Sequence, residues 1–371
     1  MRELFVRTLS RRKIHDAMSV ILLFVVAFCL LYRPQAAANG VRRGLSVCST
    51  VLIPTLYPFM LVAGWLTDSP LCRRPAKWAC TLTRRLFGLP GCCGAAILIG
   101  LVGGYPAGAI AAGRLYRQGM IDAGQRERMS RFCVNAGPGF IIGTVGAGLL
   151  GNTRAGVLLF AAQVTASVLL GVLSGRGRRV REDTTLPVLS PKRSFAALVG
   201  DTCLALLTTC GWVVSATAVL SVADALGIPA QIARLGLPVG TVRGILAGLT
   251  EVSGGCMAAV GATGLTPVAL GLCLGWGGLA VHGQVFAALG EDFRPGAQFW
   301  LYRLIHGVIG AGVAALLFRF IPVGNATAVA APVFEPTAAT ANASTMLLAT
   351  TFCAMLCFSA KKTGKTHNDV L

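Results

Sequence analysis

Apolar residues run along this chain in long blocks separated by short polar stretches. The blocks cover 18–32, 45–67, 132–150, 155–174, 196–222, 264–289, 298–320 and 343–359. Most reach the roughly 20 residues a helix needs to cross a bilayer, with 18–32 and 343–359 near the short limit. The pattern predicts an all-α integral membrane protein of about eight spanning helices, multi-pass in the cell membrane.

Two further apolar passages are interrupted at their centres. Residues 97–113 read ILIGLVGGYPAGAIAAG and residues 245–261 read ILAGLTEVSGGCMAAVG. Ile97-Leu98, Gly100-Leu101, Ala111 and Gly113 recur as Ile245-Leu246, Gly248-Leu249, Ala259 and Gly261. Paired interrupted segments in corresponding halves of a chain point to the substrate site of a secondary transporter. The likeness extends outward. Gly44–Asp68 aligns with Gly200–Asp224, Arg131–Leu150 with Gly271–Gly290, and Arg154-Ala-Gly156 with Arg294-Pro-Gly296. Each half is expected to hold a spanning helix, a re-entrant broken segment and two further spans. The boundaries that follow are 1–43 (basic N-terminus and first helix), 44–175 (first repeat), 176–195 (basic cytoplasmic loop), 196–320 (second repeat) and 321–371 (linker, last helix and basic tail).

Charge orients these elements. The chain has 371 residues, 33 Lys and Arg against 14 Asp and Glu, and a formal charge of +19. Cytoplasmic loops of membrane proteins concentrate Lys and Arg. With the N-terminus inside and both interrupted passages re-entrant, segments 1–17, 68–88, 114–131, 175–195, 290–303 and 360–371 fall on the cytoplasmic side and carry 26 of the 33 cations. The two repeats then start from opposite sides, which makes the repeat inverted. The same distribution argues against nucleic acid as a partner, because no aromatic-plus-basic module accompanies the charge. The basic clusters suit anionic lipid and orientation signals.

Other composition excludes more than it adds. Thirteen Cys residues lie mostly inside apolar blocks and read as packing residues, without zinc-like spacing. The basic stretch before Ala17–Leu31 resembles a signal peptide, with Gln35-Ala36-Ala37-Ala38 as a cleavage site, but an uncleaved first helix is the preferred reading. Neither HExxH, GxSxG nor GxxxxGK[ST] occurs, so no enzyme, no cofactor and no ATP-driven pump is expected.

The candidate chemistry lies at the interruptions. Gly103, Gly104, Tyr105 and Pro106 break the first passage, since Pro lacks a donor and Gly relaxes the backbone. Asn135, Gly137 and Pro138 break the next block. Broken helices at membrane depth must line a cavity or lie buried in protein. Their free N–H groups suit an anionic substrate group. Gly-mediated helix packing is the competing account of the glycines. In the second half the candidates are Glu251, Ser253, His282 and Gln284. Glu251 is the one carboxylate deep in an apolar segment, and such an acid is expensive enough to suggest function. It aligns with Gly103, so the site is asymmetric. His282 and Gln284, two apart, point to different helix faces. His306 shares a face with Tyr302. The expected partners are a small anionic substrate, the lipid bilayer, a coupling ion (H+ or Na+) and further copies of the chain.

Several strings carry a family resemblance: Leu86–Cys92 (LFGLPGC), Gly103–Gly108 (GGYPAG), Phe132–Gly143 (FCVNAGPGFIIG), Gly277–Gln284 (GGLAVHGQ) and the Leu304–His306 region. They resemble the YlbJ-type sporulation integral membrane proteins, with duplicated gate domains of the "nucleoside recognition" type, over about residues 44–320. The resemblance implies an architecture related to concentrative nucleoside transporters. It also implies movement of dipicolinic acid, a small aromatic dianion, from the mother cell toward the developing spore across the outer forespore membrane. The alternatives are a non-transporting sporulation scaffold or assembly protein, and a nucleoside-type transporter.

Overall fold

The computed structural model describes residues 20–21, 24, 27–29, 31–67, 77–178, 180, 194–260 and 266–323. Every regular element among them is a helix. The first half holds α1 (Pro34–Val47), a π-helical turn (Cys48–Leu52), α2 (Ile53–Thr67), α3 (Lys77–Phe87), α4 (Cys93–Val102), α5 (Tyr105–Arg117), α6 (Ala123–Phe132), the π-helix Gly139–Leu149 and α7 (Thr153–Gly175). The second half holds α8 (Phe195–Ala225), α9 (Ile228–Ala233), α10 (Val239–Thr250), α11 (Val252–Val260), α12 (Thr266–Trp276), α13 (Leu279–Leu289) and α14 (Ala297–Phe320).

Four of these stretches are long and apolar enough to cross a membrane: α7, α8, α14 and the run Thr266–Leu289 made by α12 and α13. A fifth results if Pro34–Leu52 and Leu56–Val62, bent by 55°, form one span. The expected helix 343–359 lies outside the described residues, as do seven of the fifteen residues of 18–32. Block 132–150, expected as a span broken at Asn135, Gly137 and Pro138, is interrupted there. Its helical part after the break is the π-helix Gly139–Leu149, only 11 residues long. Asn135–Pro138 stops the helix before it. The segment 114–131, expected as a loop, is largely helical. Asp122 opens α6 with a capping box, accepting from Gln125 N at 2.7 Å while Gln125 Oε1 accepts from Asp122 N at 2.9 Å.

Both interrupted passages fold back on themselves, as re-entrant segments do. A Cβ built on Gly108 of α5 would lie 2.7 Å from Gly100 Cα of α4, and one on Gly255 of α11 would lie 2.5 Å from Gly248 Cα of α10. Only glycine permits such backbone approach. In each half the broken span then lies along an intact one. Phe132 and Gly146 of the first half pack on Gly171 and Gly156 of α7. In the second, Gly271 and Gly275 of α12 pack on Ala311 and Gly307 of α14. Helices α1 and α8 run antiparallel, Gly40 meeting Ala218 and Gly44 meeting Val214.

The loops gather at two ends. At one, Arg126 grips Asp292 through Nη1 (2.8 Å) and Nη2 (2.9 Å), and Arg131 reaches Gln298. Gly175 meets Phe87 there too. At the other, Arg243 pairs with Asp224 at 2.7 Å and Arg43 donates to Ser221 Oγ at 2.6 Å. Loops that the charge count places on one side touch one another. Arg303 is the exception. It was counted in the basic segment 290–303, yet it sits inside α14 with no exposed surface, and is no orientation signal.

The Arg126 hydrogen bonds hold the exposed Asp292 carboxyl down at about 2. The folded value lies below the ordinary one near 3.9. The pairing is therefore fully present above about pH 4 and is lost as pH falls through about 2. A spin label at exposed Glu291 is expected to keep constant mobility from neutral pH to that point and loosen below it, with Arg126→Leu abolishing the transition. Loosening near pH 6 would refute the assignment.

Candidate functional site

The four helix breaks coincide with the repeat. Hairpin α4–α5 breaks at Gly103-Gly104 and hairpin α10–α11 at Glu251, the position aligned with Gly103. The broken spans part at Cys133–Pro138 and at Gly277-Gly278, with Gly137 aligned to Gly277. Gly104 has φ +90°, and Gly277 and Gly278 have φ +85°, a region open mainly to glycine. In each half the hairpin tip abuts the break of its own broken span. A Cβ on Gly137 would lie 3.0 Å from Gly104 N, and one on Gly278 would lie 2.9 Å from Glu251 Cα.

A helix end leaves four carbonyls without partners. The C-terminus of α12 has all four satisfied. Cys273 O accepts from Gly277 N at 2.9 Å. Leu274 O accepts from Tyr105 Oη at 2.7 Å, Gly275 O from Arg303 Nη2, and Trp276 O lies 2.9 Å from His282 Nε2. Tyr105 belongs to the other half, so it ties the two repeats together. At the end of α6, Phe132 O accepts from Asn135 Nδ2 (2.9 Å) and Ser167 Oγ (2.5 Å), and Val134 O from Arg303 Nη1 (2.7 Å). Asn135 Nδ2 also reaches Gly100 O at 3.1 Å. Tyr105, Asn135 and His282 thus serve as caps of broken helices.

Glu251 plays the complementary part. Its Oε1 accepts from Ser253 N and its Oε2 from Gly254 N, both at 2.8 Å. The carboxylate occupies the N-terminal end of α11, where a negative group is favoured. The start of α5 has no side-chain cap and no acid in its first turn.

Beside the uncapped start of α5 lies a cavity of about 460 Å³. Gly103 and Pro106 line it from the first half, Thr209 and Gln284 from the second, and Arg114 and Asp201 also face it. The rest of the wall is mostly apolar, from α2, α4, α5, α8 and α13. Thr209 Oγ1 and Gln284 Oε1 are 3.4 Å apart. The cavity lies toward the end where Arg126 binds Leu289 O and Asp292.

Three of the residues chosen from sequence therefore line the cavity: Gly103, Pro106 and Gln284. Gly104, Tyr105, Asn135, Gly137, Pro138, Glu251, Ser253 and His282 do not; they form or brace the breaks behind it. His282 and Gln284 take opposite faces of α13, as their spacing requires. The His282 ring packs 4.6 Å from Trp276, 5.0 Å from Trp300 and 5.5 Å from Phe299. His306 is buried against Arg303, its Nδ1 2.8 Å from Nη2. Arg303, Thr209 and Gln163 were missed. An arginine within the apolar block 298–320 was the available signal for the first, because a cation there must find partners. Gln163 aligns with Arg303 and donates to Gly271 O at 2.9 Å. Thr209 left no signal beyond its polarity.

The chain is similar to the sporulation integral membrane protein YlbJ of Bacillus subtilis (strain 168). The two are 26% identical over 335 residues, covering 80% of this chain and 81% of that protein. No family model matches the chain, and no solved structure matches it closely. The resemblance read from the motifs thus holds over most of the length. With the apolar helices it makes this a multi-pass membrane protein.

Proposed function

Taking the chain as a YlbJ-type sporulation membrane protein, we propose that it is a secondary transporter of a small anionic metabolite. Dipicolinate, in the outer forespore membrane of a spore-forming cell, is the favoured cargo. The carrying observation is the cavity that both halves build beside the break of the first hairpin, with Gly103 and Pro106 on one wall and Gln284 and Thr209 on the other. Its volume lies within the range of small-ligand sites, which suits a single planar ring with two carboxylates. Gln284, Thr209 and Arg114 offer donors, and the uncapped start of α5 adds the positive end of a helix. The two halves, inverted and hinged at aligned breaks, alternate access by moving against each other.

A nucleoside is the second cargo. The wall carries one acid, Asp201, beside one cation, Arg114, and this balance tolerates a neutral base and sugar. A scaffold role needs no such cavity.

The test is uptake of labelled dipicolinate into proteoliposomes, with nucleosides as competitors. Gln284→Ala and Thr209→Val are each expected to lower flux about tenfold, the loss of one hydrogen bond of about 1.4 kcal/mol, with protein yield unchanged. Competition by uridine but not by other dianions would move the assignment to nucleosides. Absence of flux for every anion and nucleoside would favour the scaffold.

A further inference from the structure

Transporters with broken helices commonly place an inorganic cation where helix C-termini and unwound carbonyls converge. Each such end carries about half a negative charge. Here the ends of α6 and α12, one from each half, converge on Arg303. Its Nη1 donates to Val134 O at 2.7 Å, two residues beyond α6, and its Nη2 donates to Gly275 O in the last turn of α12. Nη2 also lies 2.8 Å from His306 Nδ1. With Nδ1 accepting, the ring proton of His306 sits on Nε2, toward Gln163 O at 3.4 Å. The guanidinium has no exposed surface. Two of its partners are carbonyl oxygens, the ligands a hard cation takes, and the third is a neutral ring.

We propose that Arg303 is a resident cation that takes the place of a coupling Na+ at the meeting of the two broken spans. The position repeat-equivalent to Arg303 holds Gln163, neutral and buried. The charge is therefore supplied once and shared by both halves. Two consequences follow from a charge fixed to α14. The ends of α6 and α12 need no inorganic ion to neutralise them, and flux needs no Na+ gradient. Only the second consequence rests on the transport reading above.

The experiment is thermal unfolding of the purified full chain in detergent, in NaCl, KCl and choline chloride at equal ionic strength. The wild type is expected to melt at one temperature in all three. Arg303→Ala is expected to lower the melting temperature by about 5 °C or more. Millimolar guanidinium should restore at least half of that shift, and choline should restore none, since only a planar donor of that size refits the carbonyls. Arg303→Gln, close in length to the neutral counterpart, carries the same rescue test should the alanine variant fail to accumulate. Stabilisation of the wild type by millimolar Na+ over choline would overturn the proposal, as would an Arg303→Ala or Arg303→Gln protein that guanidinium leaves unchanged. Sodium-insensitive melting with rescue, in a protein that moves no solute, would sink the transport reading and leave this one standing.

Discussion

Gly108→Ala is expected to prevent the first re-entrant hairpin from closing, with a fall of about 6 °C or more in melting temperature. A Cβ at position 108 would collide with Cys133 O and would lie 2.7 Å from Gly100 Cα and 3.0 Å from Cys133 C. These obstacles are backbone, on the facing arm of the hairpin and on the break of the neighbouring span. No side chain can swing aside, so α5 must move bodily. Overpacking a well-filled core costs about 1–3 kcal/mol and occasionally more, and rigid walls place this site at the upper end. Each kcal/mol shifts the melting point by about 2–4 °C in a chain of this class. Gly211→Ala on α8 is the control. Nothing lies within 4 Å of its Cβ, so the two proteins share the helix-propensity gain and differ only in the collision. Melts of both in detergent decide it: equal melting points would show that α4 and α5 do not pack as described.

The hairpins themselves were legible because their sequence repeats. Two apolar passages interrupted at aligned positions reverse direction where Gly103 and Glu251 stand. The charge count grouped the loops well, since Lys and Arg mark an end of the molecule whatever the backbone does between. It misplaced Arg303 because counting treats every cation near a block boundary as solvated. That arginine needs acceptors, and acceptors appear only once the ends of α6 and α12 are brought beside α14. The same gap explains Tyr105, Asn135 and His282. Sequence marks them as polar residues at breaks, which is true of a substrate ligand and of a helix cap alike. Long-range packing separates the two, and it leaves Gln284 facing the cavity while His282, two residues earlier, caps Trp276 O. The break in block 132–150 was legible at Asn135–Pro138, but the shortness of the helix after it was not, because the composition is apolar throughout. The break comes from Gly137-Pro138, with the side chain of Asn135 satisfying the carbonyls that the break frees.

Glu251 gives the sharpest contrast between two roles for one carboxylate. A proton carrier predicts that Glu251→Gln folds normally and loses the pH dependence of flux. The geometry predicts otherwise. Both carboxylate oxygens accept N–H groups at the start of α11, from Ser253 and Gly254, and the residue is 3% exposed. A glutamine keeps one acceptor and turns an NH₂ group toward the other N–H, so donor faces donor. Alanine leaves both N–H groups buried and unpaired, at about 1–3 kcal/mol each. The expected order of melting temperature is wild type, then Glu251→Asp, then Glu251→Gln, with Glu251→Ala lowest or equal to it. The aspartate ranks second because it is a strong N-terminal acceptor with a shorter reach. The loss for alanine is about 4–24 °C at the usual conversion. The reverse design tests the asymmetry of the halves. Gly103→Glu would bring a carboxylate to the uncapped start of α5, which borders the cavity. There it would compete with an anionic cargo for the same helix end, so flux should fall while the melting temperature changes little. A Glu251→Gln protein that melts like the wild type would return Glu251 to the chemistry of coupling and remove it from the architecture of the hairpin.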